Sequence, residues 1–199
     1  MWVVDLDCVH LLIERCDAWA MIGRVGGVSY PTLETERLIL RPLQRGDVED
    51  LARLHAEESF WWYPFRRGWT SSETEAFIER TELRYSEDGY AVSAVVVRRS
   101  GELAGWAGLS VPWFLPEILP AVEVGWRLGE AFRGVGCATE AGRAWVDYGF
   151  EVRGLDEIVS IYEPENIASG AVMARLGFVF ALETVHPDRG QTIHVTRRA

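Results

Sequence analysis

Residues Ala121-Val-Glu-Val-Gly-Trp-Arg-Leu128 alternate strictly, with Val122, Val124, Trp126 and Leu128 on one side and Glu123, Gly125 and Arg127 on the other. A period of two is the mark of a β-strand with one packed face. No proline or long polar spacer separates this strand from Ala131-Phe-Arg-Gly-Val-Gly-Cys-Ala-Thr-Glu-Ala141, after which Ala138, Ala141, Trp145 and Tyr148 recur at helical spacing. Glycines let a backbone bend close to a ligand, and the first turn of a helix leaves amide N–H groups unpaired at the positive end of its dipole. Strand, glycine loop and helix together outline a phosphate site. The loop is neither a Gly-Lys-Ser/Thr P-loop nor a GxGxxG dinucleotide fingerprint, and many strand–helix turns carry a glycine pair for conformational reasons alone.

The remaining pattern surrounds that unit with alternating elements. Arg37 to Leu43 reads as a strand closed by Pro42. Gly46-Asp47 launches a helix with Val48, Leu51, Ala52 and His55 on one face. A second helix is expected from Ser72, with Ser72 and Glu75 as its capping box and Phe77, Ile78 and Thr81 turned inward. Tyr90–Arg99 and Glu102–Val111 form a hairpin about Ser100-Gly101, and Pro112, Pro116 and Pro120 frame a loop. Downstream, a strand over 155–162, a helix over 167–176 ended by Gly177, and strands over 178–185 and 191–195 complete the order β-α-α-β-β-β-α-β-α-β-β. That order predicts an α/β domain with a mixed sheet of about seven strands and about four helices.

With 199 residues and 48% hydrophobic content, the chain has material for one core, placed over residues 31–199. Residues 1–30 end in a glycine-rich stretch and read as an N-terminal extension, functional or loosely ordered, or as sequence ahead of a start at Met21. A formal charge of −10 argues against a nucleic-acid partner and suits a cationic substrate better. Cys8, Cys16 and Cys137 are odd in number, form no CxxC and join no Cys/His cluster, so a reducing cytoplasm and no metal are expected. No basic leader or long apolar run points to secretion or a membrane.

One further element raises the weight of the glycine loop. In Asn166-Ile-Ala-Ser-Gly-Ala-Val-Met-Ala-Arg-Leu-Gly-Phe178, an amide and a hydroxyl stand three residues apart on one helix face. With Arg133, Gly136 and Ala138 matching a (Gln/Arg)-x-x-Gly-x-(Gly/Ala) signature, the chain resembles the GNAT N-acetyltransferase superfamily from about residue 33 onward. Thr139-Glu-Ala141 and Glu34-Thr-Glu-Arg-Leu-Ile-Leu-Arg-Pro42 are similar to the branch holding ribosomal-protein N-terminal acetyltransferases.

The resemblance implies acetyl-CoA as co-substrate. Its pyrophosphate would meet the backbone of Arg133, Gly134, Val135, Gly136, Cys137, Ala138 and Thr139, and its pantetheine arm would pair with Trp126, Arg127 and Leu128. Asn166 would hydrogen-bond the arm and Ser169 would lie near the sulfur. Acetyl transfer to an amine needs a base, an oxyanion donor and, in some members, an acid. Glu123, the one acid in the strand before the loop, is the first candidate base, acting directly or through water; an ordinary solvated or paired carboxylate is its structural alternative. His186 and Asp188 in Val185-His-Pro-Asp-Arg189 rival it, and a surface turn explains them equally. Many members place a tyrosine acid seven residues after the asparagine. Here that position is Met173, so Ser169 takes the role or the thiolate leaves unprotonated. Ser169 also reads simply as a helix cap, and Cys137 as a small packing residue.

Phe60-Trp-Trp-Tyr-Pro-Phe-Arg-Arg67 joins the first two helices, a connector that in the resembled fold lines the acceptor site. Trp61, Trp62, Tyr63 and Phe65 are therefore candidates to pack an amine, including by cation–π contact, with core packing or a homodimer interface as the alternative. The acceptor is a peptide N-terminus or a small-molecule amine. A CoA-binding module without catalysis is the competing reading.

Overall fold

The computed structural model describes residues 31–63 and 66–199; the expected extension over residues 1–30 and Phe65 lie outside them. The strands are β1 (Leu33–Glu34), β2 (Leu38–Pro42), β3 (Val92–Val97), β4 (Leu103–Ser110), β5 (Glu123–Leu128), β6 (Ile158–Tyr162), β7 (Val179–Val185) and β8 (Thr192–Arg198). The helices are α1 (Val48–Ala56), α2 (Glu58–Trp61), α3 (Ser71–Asp88), α4 (Cys137–Asp147) and α5 (Ile167–Arg175), with a single π-helical turn, Tyr148–Val152, extending α4. The strands form one sheet in the order β1-β2-β3-β4-β5-β6-β8-β7. Every neighbouring pair is antiparallel except β5 and β6. The mixed α/β architecture is the expected one.

Two elements exceed the sequence expectation among the described residues. β1 has two residues, pairing Leu33 with Leu40 and Glu34 with Ile39, which is too short to show a period. α2 is a single turn inside the aromatic connector, held by the burial of Phe60 at 1% exposure. The capping register also differs. Thr70 and Glu73, not Ser72 and Glu75, form the reciprocal box: the Glu73 amide donates to Thr70 Oγ1 (3.2 Å) and the Thr70 amide to Glu73 Oε2 (2.7 Å). Both pairs satisfy the same spacing rule, and the buried Trp69, packed at 5.5 Å on Phe77, fixes where the chain enters the helix.

Apolar residues fill both sides of the sheet. On one, Trp145 and Val146 from α4, Met173 from α5 and Leu176 at the C-cap of α5 cover β2 to β6. The Trp145 indole is satisfied there, donating to Ser93 Oγ, which donates to the Ala107 carbonyl. On the other, Leu51, Phe77 and Ile78 cover Ala94 and Trp106. Leu115 from the proline-framed loop joins Val159, Ile161, Ile193 and Val195 in a smaller third cluster. His55 belongs to the second layer: its Nδ1 lies 2.8 Å from Thr74 Oγ1, and burial, with Arg127 adding, pulls its pKa down to about 3. It is a neutral core imidazole. Among the described residues, no helix is long and apolar enough to cross a membrane.

The parallel contact is where the sheet opens. β5 and β6 share one register pair, Glu123 with Val159, braced by Val159 N–H to the Val122 carbonyl (2.9 Å). The Ser160 hydroxyl then donates to the Val124 carbonyl (2.8 Å), a side chain standing where the next ladder bond would be. Beyond that point β5 is paired to β4 and β6 to β8, and the ladder between them ends. The gap leads from Trp126 to Leu128 directly into the glycine loop.

Candidate active site

A cleft of about 1100 Å³ occupies the opening. β5 contributes Trp126, Arg127 and Leu128 to its lining; the loop and first turn of α4 contribute Arg133, Gly134, Gly136, Cys137, Ala138 and Thr139; α5 contributes Asn166 and Ser169. Of the sequence-selected cofactor residues, Val135 alone is absent from the lining, its side chain turned to solvent.

The loop has the backbone that its glycines permit. Gly134 and Gly136 sit at φ of 71° and 89°, and Gly136 is the N-cap of α4 with no side-chain hydrogen bond to the first turn. The amides of that turn therefore face the cleft at the positive end of the helix. An anchor outside the loop holds it. Glu140 accepts Thr35 Oγ1 (2.6 Å), the Arg37 amide (2.8 Å) and Arg37 Nε (2.6 Å), while Arg37 Nη1 donates to the Val135 carbonyl (2.7 Å). The two motifs that carried the branch resemblance, about residues 34–42 and 139–141, thus meet in one cluster.

Side chains around the cleft have distinct tasks. Arg133 donates from Nε to the Leu128 carbonyl (2.9 Å) and from Nη2 to the Ser59 carbonyl (2.6 Å), tying the strand end to α2. Cys137 is buried, and burial raises its thiol pKa, which opposes thiolate formation. Asn166 caps α5, its Oδ1 accepting the Ser169 amide (3.2 Å), while the Ser169 side chain borders the cleft. Met173, 2% exposed, lies in the core with its sulfur 3.6 Å from Thr196 Oγ1.

The candidate bases stand apart from the lining. Glu123, 1% exposed, sits at the closed end of the opening; burial raises its carboxyl to about 7 although the Ile161 amide hydrogen-bonds it. His186 is packed in the β7–β8 turn, stacked on Phe114 at 4.8 Å and 5°, with Nδ1 accepting the Asp188 amide (3.2 Å). Of the aromatic candidates, Tyr63 lines the cleft, and Trp62 and Tyr63 line an adjoining groove of about 640 Å³. Trp61 borders neither and donates to the Ala56 carbonyl.

Two residues emerge that the sequence reading passed over. Glu163, 1% exposed, pairs at 2.6 Å with Arg66, whose guanidinium lies over the rings of Trp62 (5.1 Å) and Tyr63 (4.7 Å). The buried Arg127 guanidinium donates to the Tyr63 carbonyl beside them. Glu163 continues the period-two face of Val159 and Ile161, a signal available in the sequence.

The sequence profile of the acetyltransferase (GNAT) domain matches residues 37–179, which contain every lining element except the β1–β2 turn residues before Arg37. The chain belongs to the GNAT acetyltransferase family. The spermidine N(1)-acetyltransferase of Escherichia coli K12 is 30% identical to this GNAT protein over 149 residues, covering 74% of this chain and 75% of the relative. Among solved structures, an acetyltransferase from Agrobacterium tumefaciens superposes with a TM-score of 0.71 at 29% identity, over 89% of this chain and 99% of that one. A ribosomal L7/L12 α-N-protein acetyltransferase in complex with coenzyme A shares the GNAT fold with a TM-score of 0.67 at 18% identity, over 84% and 97%.

Proposed function

We propose that this GNAT protein binds acetyl-CoA in the 1100 Å³ cleft and transfers the acetyl group directly to a primary amine in a ternary complex. The observation that carries the reading is the union of an interrupted β5–β6 ladder with an uncapped α4 N-terminus at two left-handed glycines. A pantetheine amide chain can pair with an open strand edge, and a pyrophosphate suits helix amides even in a protein of charge −10, because local dipoles outweigh distant screened charges. That the L7/L12 acetyltransferase of the same fold is in complex with coenzyme A supports a coenzyme A ligand for this one.

Acetyl-CoA supplies an activated acyl carbon. The residues then divide the remaining work: Glu123, with a pKa of about 7, takes the proton from the ammonium through water, freeing the nitrogen pair to form the N–C bond. Backbone donors on β5 stabilise the carbonyl oxygen as the C–S bond breaks. The proton that the new amide nitrogen sheds then passes through the Ser169 hydroxyl to the sulfur, or goes to solvent while the thiolate departs free. Binding is tested by the rise in melting temperature with acetyl-CoA, and transfer by thiol release across peptides and small amines. Binding without release for any amine would favour the module reading, in keeping with a buried Met173 where a tyrosine acid would stand.

A further inference from the structure

The end of β5 serves both sides of the sheet. Its main chain at Trp126, Arg127 and Leu128 borders the cleft, while the Arg127 side chain, of opposite parity to Trp126 and Leu128, is directed to the other face. There it stands across the ladder from Trp106, its register partner on β4, with the guanidinium 5.4 Å from the Trp106 ring and 5.7 Å from the ring of Phe60 on α2. Arg127 is 6% exposed, and a guanidinium buried to that degree is costly unless acceptors and ring faces replace its water. Its Nη2 donates to the carbonyl of Tyr63, one residue past the C-cap of α2. Arg133 makes a second connection from the adjacent position, joining the Leu128 carbonyl (2.9 Å) to the carbonyl of Ser59 within α2 (2.6 Å). A helix of one turn does not persist on its own hydrogen bonds. α2 is therefore hung from consecutive residues of β5 by two guanidiniums, one toward each end, and this sets Tyr63 against the cleft and Trp62 against the adjoining groove. Arg66, paired with Glu163 at 2.6 Å, secures the chain beyond Tyr63.

We propose that Arg127 is a positioning residue for acetyl transfer, through which a coenzyme arm seated on the β5 edge fixes the acceptor wall formed by Trp62 and Tyr63. The proposal rests on the acetyl-CoA reading above and adds to it a task for the Arg127 side chain. A strand edge that gains an amide partner loses freedom over 126–128, and the same residues hold α2 through the Arg127–Tyr63 and Leu128–Arg133–Ser59 bonds, so the restraint passes to the wall. The two tasks of Arg127 are separable, because the coenzyme edge is main chain and the hold on the wall is side chain. Removing the guanidinium loosens Trp62 and Tyr63 and leaves the edge in place. A lysine at this position keeps a cation and a donor but lacks the planar fork that reaches a carbonyl while lying over two rings, so it fulfils the task in part.

The test is amide hydrogen exchange over residues 57–63 of the full chain, with and without saturating acetyl-CoA, beside calorimetry of acetyl-CoA and thiol release with spermidine and an alanine-initiated peptide as probe amines. Acetyl-CoA should slow exchange over 57–63 severalfold in the parent. Arg127→Met, which keeps the apolar stem, should abolish that slowing and raise KM for whichever probe is turned over by about tenfold, with kcat changed less and acetyl-CoA affinity kept within about twofold. Arg127→Lys should recover part of the KM and part of the slowing. Parent-like exchange and KM in Arg127→Met overturn the proposal. So does a loss of acetyl-CoA affinity as large as the rise in KM, which would make the side chain a coenzyme contact, or exchange that rises equally over β3 and β4, which would make it core packing alone. If Arg127→Met does not fold, Arg127→Lys must itself show a raised KM with acetyl-CoA affinity intact, and an unchanged KM overturns the proposal. A parent that binds no acetyl-CoA overturns the cofactor reading instead, and exchange over 57–63 in Arg127→Met against the parent then decides whether the side chain holds the wall.

Discussion

Replacing Gly136 by alanine separates the glycine loop's conformational task from its ligand task. At φ of 89° the substitution forces an L-residue into left-handed backbone, costing about 1–2 kcal/mol. The new Cβ would also lie 3.1 Å from Arg37 Nη2, part of a guanidinium already fixed by Glu140 and the Val135 carbonyl, so the anchor must shift as well. Gly134→Ala is the control: its φ is 71°, but nothing lies within 4 Å of the added carbon. Both variants should melt about 2–8 °C below the parent, since a chain of this size shifts by about 2–4 °C per kcal/mol. Acetyl-CoA at about 100 times its Kd stabilises the parent by about 2.7 kcal/mol. A tenfold loss of affinity in Gly136→Ala reduces that to about 1.4 kcal/mol at the same concentration, so the ligand-induced rise should halve; Gly134→Ala should keep more of it. Differential scanning fluorimetry with and without acetyl-CoA reads both quantities. A Gly136→Ala protein that loses stability yet keeps the full ligand-induced rise would refute the assignment of the first-turn amides to the cofactor.

Glu123→Gln should flatten a pH dependence of stability: the folded carboxyl holds its proton up to about 7 while the unfolded one releases it near 4.5, so the parent is most stable below 4.5 and loses about 3 kcal/mol as pH rises through 7. Denaturant midpoints at pH 5 and 8 measure this, and equal slopes in parent and variant would count against a buried neutral carboxyl. The same variant should remove the rise of kcat/KM through about pH 7. Ser169→Ala should lower kcat more than it weakens acetyl-CoA binding, seen by steady-state kinetics beside calorimetry; unchanged turnover would leave the hydroxyl with no part in transfer. Glu140→Gln, whose partner Arg37 is half exposed, should cost only about 1 kcal/mol yet weaken acetyl-CoA binding severalfold by releasing the loop, and intact affinity would show the anchor to be incidental.

What could be read in advance followed from local regularity. The Val122–Leu128 alternation located β5 and the spacing of Ala141 and Trp145 located α4, because period and burial are properties of neighbouring residues. The cap of α3 slipped by two residues because Thr70–Glu73 and Ser72–Glu75 obey the same rule, and only the tertiary packing of Trp69 on Phe77 distinguishes them. The interruption of the β5–β6 ladder has no local signature at all. It depends on a serine of β6 reaching a carbonyl of β5 across 36 residues of chain, and on Leu128 being claimed by Arg133. The contrast is sharpest in Tyr162-Glu-Pro-Glu-Asn166, where two glutamates of identical chemistry part company: Glu163 keeps the parity of Val159 and Ile161 and is buried with Arg66, while Glu165, also on that parity but beyond Pro164 and the strand's end, is free to face the groove. Both lie past Tyr162, the last residue of β6, and the turn at Pro164–Glu165 is what separates the buried carboxylate paired with Arg66 from the exposed one along the groove.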